Sequence, residues 1–125
     1  MKKIRLKAAH TDARGAITDL LQRECVNAIT VISFSRGAVR ANHFHKKTWQ
    51  WNYVLSGKIQ IAGKLPRGPL RKAVMKKGDL ILTVPNESHA LKALEKSELI
   101  VFTKGPRGGK EYENDTFRLE KPLLK

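Results

Sequence analysis

Apolar residues recur along this chain in short runs separated by turn-forming residues, without the three- and four-residue spacing of a helix face. Concentrations of Ile, Val, Leu, Thr and Phe predict strands near residues 3–7, 16–22, 29–35, 40–45, 49–55, 58–62, 70–75, 80–84, 89–93 and 98–103. Between them lie Gly15, Gly37, Ser56-Gly57, Pro66 and Gly68, Lys77-Gly78 and Pro85-Asn86. These residue types tolerate positive φ or preset it, which is what a tight turn needs. Only residues 18–26 have a helical look, and the stretch is short. So many brief, evenly spaced strands predict an all-β sandwich or barrel. The tail from Gly105 onward is charged and then returns to Leu119, Leu123 and Leu124, so it is expected to wrap the barrel or a neighbouring subunit. With 125 residues and 41% hydrophobic content, a single domain over 1–125 is expected.

Charge changes this picture more than composition does. Twenty-five Lys and Arg stand against eleven Asp and Glu, a formal charge of +14. Such a balance favours a solvated surface or an anionic small-molecule substrate. The cations are scattered in sequence with no interleaved aromatics, so nucleic acid is not an expected partner. Arg107-Gly108-Gly109 reads as a turn. The one cysteine, Cys25, cannot close an internal disulfide. No apolar run approaches the ~18–20 residues that span a bilayer, so no membrane partner is expected. The opening MKKIRLKAAH lacks the apolar core of a secretory signal, and a cytoplasmic protein is expected.

The chemistry gathers in two blocks. In the first, Gly37 precedes His43-Phe44-His45, and Gln50 and the apolar run to Leu55 lead to Gly57. On a strand, His43 and His45 share a face. The second block runs from Gly78 through Pro85 to His89. Three of the four histidines therefore sit at strand starts; His10, in a charged segment, is set aside. If Gln50, Asn52 and Val54 face inward, then Trp51, Tyr53 and Leu55 face outward and need cover, either within the core or at a dimer interface, and a homodimer is expected.

These blocks resemble the cupin signature: glycine, five residues, His-x-His, a short gap, Glu, six residues and glycine, then a later glycine, proline and histidine. Gln50 stands where the signature has Glu, and the glycine expected after Pro85 is missing, with Glu87 in that region as a carboxylate that could lean inward. The resemblance implies a double-stranded β-helix, a jelly-roll barrel, with His43, His45, Gln50 and His89 pointing into one pocket. More narrowly, Arg40 to Gln50 resembles sugar-nucleotide 3,4-ketoisomerases, although those usually have glycine where Ala41 stands. Asp12-Ala13-Arg14-Gly15 resembles a stretch in cupins such as dTDP-4-dehydrorhamnose 3,5-epimerases.

Two chemistries stay open on these residues. Three imidazoles and an amide oxygen (His43, His45, His89, Gln50) suit a divalent Zn, Mn, Fe or Ni ion. Gln in place of Glu removes a charge worth on the order of 4 kcal/mol at ~4 Å and an effective dielectric of 20. Alternatively, His43 or His45 is the base of a metal-free site, with Gln50 and His89 orienting the substrate and Arg40 meeting a diphosphate. The resemblance then implies an isomerase or epimerase of a nucleotide-linked keto-sugar. Its rivals are a metal-dependent cupin such as a dioxygenase and a non-catalytic small-molecule binder.

Overall fold

A computed structural model describes the whole chain, residues 1–125. In order come β1 (Lys2–Ile4), β2 (His10–Asp12), β3 (Gly15–Ile17), β4 (Ala28–Phe34), β5 (Val39–Phe44), β6 (Trp49–Ser56), β7 (Lys58–Lys64), β8 (Arg71–Lys76), β9 (Leu80–Thr83), β10 (Ser88–Ala93) and β11 (Ser97–Lys104). A short helix α1 (Gly109–Asn114) and β12 (Phe117–Arg118) complete the tail. Every predicted run overlaps a strand, although β1 ends at Ile4 and β3 at Ile17, short of the predicted 7 and 22. The three elements missed, β2, β12 and α1, are too short for a hydrophobic period to show. No helix forms over residues 18–26, which fall short of the ~12 residues that helices need without tertiary support.

Two five-stranded antiparallel sheets, ordered β1-β9-β6-β11-β4 and β12-β5-β10-β7-β8, enclose the interior of an all-β jelly roll. Alternation on β7 turns Ile59 and Ile61 inward, where they meet Phe34, Val54, Met75 and Leu99, all almost fully buried. On the outer face of the second sheet, Ala62 and Ala90 are covered by Leu124 of the returning tail. The tail therefore wraps its own barrel.

Inward side chains change character along each strand, and this positions the site. On β6 they pass from Gln50 and Asn52 to Val54, and on β10 from His89 to Leu91 and Ala93. Register aligns these changes. Gln50 lies opposite Thr83 and Thr103, while Val54 lies opposite Leu99. One end of the barrel is thus an apolar core and the other a polar chamber.

On the outer face of β6, Trp51 is only 4% exposed, so of the two expected covers, core or partner, the chain itself supplies this one. The apolar surface that stays open is on the edge strand β4, where Ile29 is 67% and Val31 60% exposed. An uncovered apolar edge strand invites pairing. We expect homodimers through this edge, and Ile29→Lys should shift sedimentation toward monomer. A wild-type chain that sediments as monomer at micromolar concentration would contradict this.

Candidate functional site

A β-bulge builds the polar chamber. Along β5 and β10, His43 lies opposite His89, Ala41 opposite Ala90 and Arg40 opposite Leu91, so Asn42 is the extra residue. Simple alternation would place Arg40 and His43, three apart, on opposite faces. The inserted residue switches the parity, and both line the same cavity. Ala41 and Asn42 take left-handed conformations, at φ 69° and 55°. Asn accepts this conformation readily, whereas Ala is strained by roughly 1–2 kcal/mol. The tail fastens the bulge. Asn42 Oδ1 accepts from the Leu123 and Leu124 N–H groups at 2.7 and 3.3 Å, and Nδ2 donates to the Leu124 carbonyl at 3.0 Å.

The three histidines converge as expected. Ring centroids lie 4.7 Å apart for His43 and His45, 4.8 Å for His43 and His89, and 5.5 Å for His45 and His89. His45 Nδ1 donates to the Asp115 carbonyl at 2.8 Å, and His89 Nδ1 donates to the Glu87 carbonyl at 3.1 Å. A carbonyl only accepts, so the proton sits on Nδ1 in both rings and each Nε2 keeps its lone pair. His45 Nε2 is buried without a hydrogen-bond partner. Burial, then the neighbouring imidazoles, pushes His43 and His89 down to about 3. Burial also lowers His45, against the opposing pull of Asp115. All three rings are therefore neutral near pH 7.

Asp115, unforeseen in the sequence, organises the turn after His45. Its carboxylate accepts from the Lys46 N–H at 3.0 Å, the Lys47 N–H at 3.2 Å and the Thr48 hydroxyl at 2.7 Å. Burial would raise its pKa, but these hydrogen bonds outweigh burial and hold it below the usual carboxylate value. No period or motif marks Asp115. It is one acid in a charged tail, brought to β5 by a contact about seventy residues long in sequence.

Glu87 does not lean into the chamber. Its carboxylate pairs with the Met1 amino group and accepts from the Val84 N–H, so it faces a separate small cavity. Arg14 is held by Asp12 within the β2–β3 hairpin, with Nη2 2.6 Å from Oδ2, and lines another cavity. Lys46 lies over the Phe117 ring at 4.4 Å, and Lys46 and Lys47 border a third. The cations that do line the histidine cavity are Arg40, Arg107 and Arg118. Sequence reading found only the first, because the tail residues look like a turn and a charged run.

That cavity has a volume of about 620 Å³ and no Asp or Glu in its lining. Gln50 and Asn52 form part of its wall, and Tyr112 of α1 stands 5.4 Å from the His45 ring. Arg40 donates to the Ser33 carbonyl at 3.1 Å, and Arg107 lies over the Tyr112 ring at 4.4 Å. The donor set also fits a divalent ion. The ligand nitrogens of His43, His45 and His89 lie within 4.8 Å of one another, and two rings are oriented by carbonyls as metal ligands usually are. A tetrahedral ion with ~2.0–2.1 Å bonds needs nitrogens about 3.3 Å apart, so the rings would draw inward slightly.

Comparison with known proteins bears on the fold. A family model described as cupin matches residues 18–117. No curated protein sequence matches the chain. Among solved structures, the chain is similar to a 3,4-ketoisomerase from Helicobacter canadensis, at 18% identity and TM-score 0.78, covering 94% of this chain and 90% of that one. It is also similar to a sugar 3,4-ketoisomerase from Thermoanaerobacterium thermosaccharolyticum in complex with TDP, at 18% identity and TM-score 0.76, covering 95% and 88%. A dTDP-4-dehydrorhamnose 3,5-epimerase from Sulfolobus tokodaii matches at 20% identity and TM-score 0.69, covering 80% and 68%.

Two stability effects follow from the site. A histidine whose folded pKa is depressed leaves stability intact above its unfolded value of about 6.5. As pH falls below that, the unfolded chain takes up protons first, removing up to about 1.4 kcal/mol per pH unit for a fully buried ring. Melting temperature should therefore fall between about pH 6.5 and about pH 5, before carboxylates titrate, and less steeply in His89→Gln. A level melting temperature across that window would contradict the burial of these rings. Separately, Asp115→Ala should cost about 2–3 kcal/mol in chemical denaturation by stranding the Lys46 and Lys47 N–H groups, with Asp115→Asn recovering part. Equal loss in both variants would count against the hydrogen-bonded role.

Proposed function

The chain belongs to the cupin family, and we propose that it is an isomerase or epimerase of a keto-sugar carried on a nucleotide. One observation carries the reading: neutral imidazoles share a cavity with three guanidiniums and no carboxylate. Neutral imidazole is the form that accepts a proton from carbon. Arg40 and Arg107 make no ion pair and Arg118 pairs only with the exposed Glu113 at 3.4 Å, so the cluster suits a diphosphate, which guanidiniums grip through paired oxygens. The structures it resembles include enzymes whose names describe these two reactions on such sugars.

In this reading His45 Nε2 takes the proton from the carbon beside the ketone, leaving an enediolate and an imidazolium. The Asp115 carbonyl on Nδ1 fixes which nitrogen is free. Return of the proton to the former carbonyl carbon, with the hydroxyl proton passing from one enediolate oxygen to the other, completes an isomerisation, and return to the opposite face of the same carbon an epimerisation. His43, which lines the cavity where His45 is buried beside it, is the alternative base for either transfer. Gln50 and His89 orient the sugar and hydrogen-bond its oxygens as charge develops there. Arg40, with Arg107 and Arg118 from the tail, meets the diphosphate.

A second reading rests on the three converging nitrogens and the orphaned His45 Nε2. His43, His45 and His89, with Gln50 as a neutral fourth donor, would hold a Zn, Mn, Fe or Ni ion. Such an ion would act as a Lewis acid on the ketone oxygen.

The test uses TDP-4-keto-6-deoxyglucose in deuterated water, with metal content measured on protein purified without added metal. Deuterium should enter at the carbon beside the ketone. His45→Ala should slow exchange by at least about a hundredfold while leaving affinity nearly unchanged. Arg40→Ala should weaken binding by about tenfold. Stoichiometric metal that Gln50→Glu tightens would favour the second reading. Nucleotide-sugar binding with no exchange would favour a non-catalytic cupin. Equal thermal shifts from heparin and nucleotide-sugar would remove the sugar-nucleotide reading.

A further inference from the structure

The cations that are scattered in sequence are gathered by the fold. On the outer face of the second sheet, Lys58 lies directly opposite Lys76, and Lys72 opposite Ala62. Like charges in direct cross-strand register destabilise a sheet. Toward the β7–β8 turn Lys64 is exposed on this face and Arg67 in the turn itself, while Arg71, opposite Gly63, is exposed on the other side of the strand pair. None of these six cations makes an ion pair; the cations that do are Lys3, Arg14, Lys104, Arg118 and the Met1 amino group. Lys58 and Lys76 stand at the far end of the strand pair, so the cations at the turn are Lys64, Arg67, Arg71 and Lys72. Asp79 and Glu95 are at the opposite end of the strand pair, beside Lys76 and Lys58, and Glu87 is buried against Met1.

The turn itself is apolar. Residues 65–70 read Leu-Pro-Arg-Gly-Pro-Leu, with Leu65 and Leu70 each 46% exposed, and Val74 on the adjoining strand 51% exposed. Pro66 and Pro69 carry no N–H, and the Gly68 N–H is already bonded to the Leu65 carbonyl at 2.9 Å. Few backbone donors at the tip would lose water on entering a less polar medium.

We propose that this hairpin tip docks on an anionic lipid bilayer, with Leu65 and Leu70 entering the headgroup region and the ring of Lys and Arg contacting lipid phosphates. An exposed aliphatic tip with basic flanks matches the two layers of a bilayer interface, apolar below and anionic above. A nucleic acid would reward the cations but not the leucines, and the tip has no aromatic ring on which bases could stack. None of the hairpin residues lines the histidine cavity, so the inference stands apart from the proposed reaction.

The experiment is co-sedimentation of the full chain with vesicles of phosphatidylcholine, alone or mixed with phosphatidylglycerol. Binding should require the anionic lipid and weaken as salt rises from about 0.1 M to about 1 M, where the Debye length drops from ~10 to ~3 Å. Each cation contributes about fivefold near such a surface, so Arg67→Gln with Lys72→Gln should lower the partition coefficient about twentyfold. Leu65→Ser with Leu70→Ser should weaken vesicle binding several-fold and leave heparin binding unchanged, at an unaltered melting temperature. Absence of binding to anionic vesicles overturns the proposal. So does equal vesicle binding by the leucine variant, or a preference for duplex RNA over vesicles, which would assign the cations to nucleic acid.

Discussion

The chamber depends on the C-terminal tail holding the histidine strand in a shape that strand would not take alone. Asn42, gripped by the backbone of Leu123 and Leu124, keeps the bulge in place. Asp115, gripping the backbone after His45, keeps the imidazole against its carbonyl. The first anchor decides which side chains face inward. The second decides which nitrogen of His45 is free. Both act on one strand, and both come from the last eleven residues.

The barrel interior shows why such anchors are needed. Its apolar end holds itself together by burial, with Val54, Ile59 and Leu99 wholly enclosed. Its polar end removes three imidazoles and an amide from much of their water and leaves His45 Nε2 unsatisfied. Buried polar groups without partners destabilise a fold, and they persist where a ligand or reaction uses them. Strain at Ala41 belongs to the same pattern. Positive charge is divided in a related way. Three guanidiniums line the chamber, while lysines and further arginines collect on the hairpin outside it.

Much of this was legible in the sequence. Strand runs, turn residues and the spacing of His43, His45, Gln50 and His89 are local signals, and each led to its place in the barrel. What could not be read depends on contacts between distant segments. Arg40 was expected at the site, but the bulge at Asn42 that turns it to the side of His43 was not. Asp115, Arg107 and Arg118 belong to a tail whose return path leaves no period. Glu87, a loop residue that could have leaned into the chamber, has its carboxylate taken by Met1, whose approach no spacing encodes. The sequence left open whether core or partner covers Trp51, and its own chain does.

The claim that the tail sets the chemistry of His45 can be measured on the imidazole itself. Nitrogen-15 NMR of histidine-labelled protein at neutral pH distinguishes a protonated ring nitrogen from one bearing a lone pair. His45 should show a protonated Nδ1 and an unprotonated Nε2, and Asp115→Ala should turn this single form into a mixture of tautomers. An imidazolium at neutral pH, or a proton on Nε2 in the wild-type chain, would contradict the account.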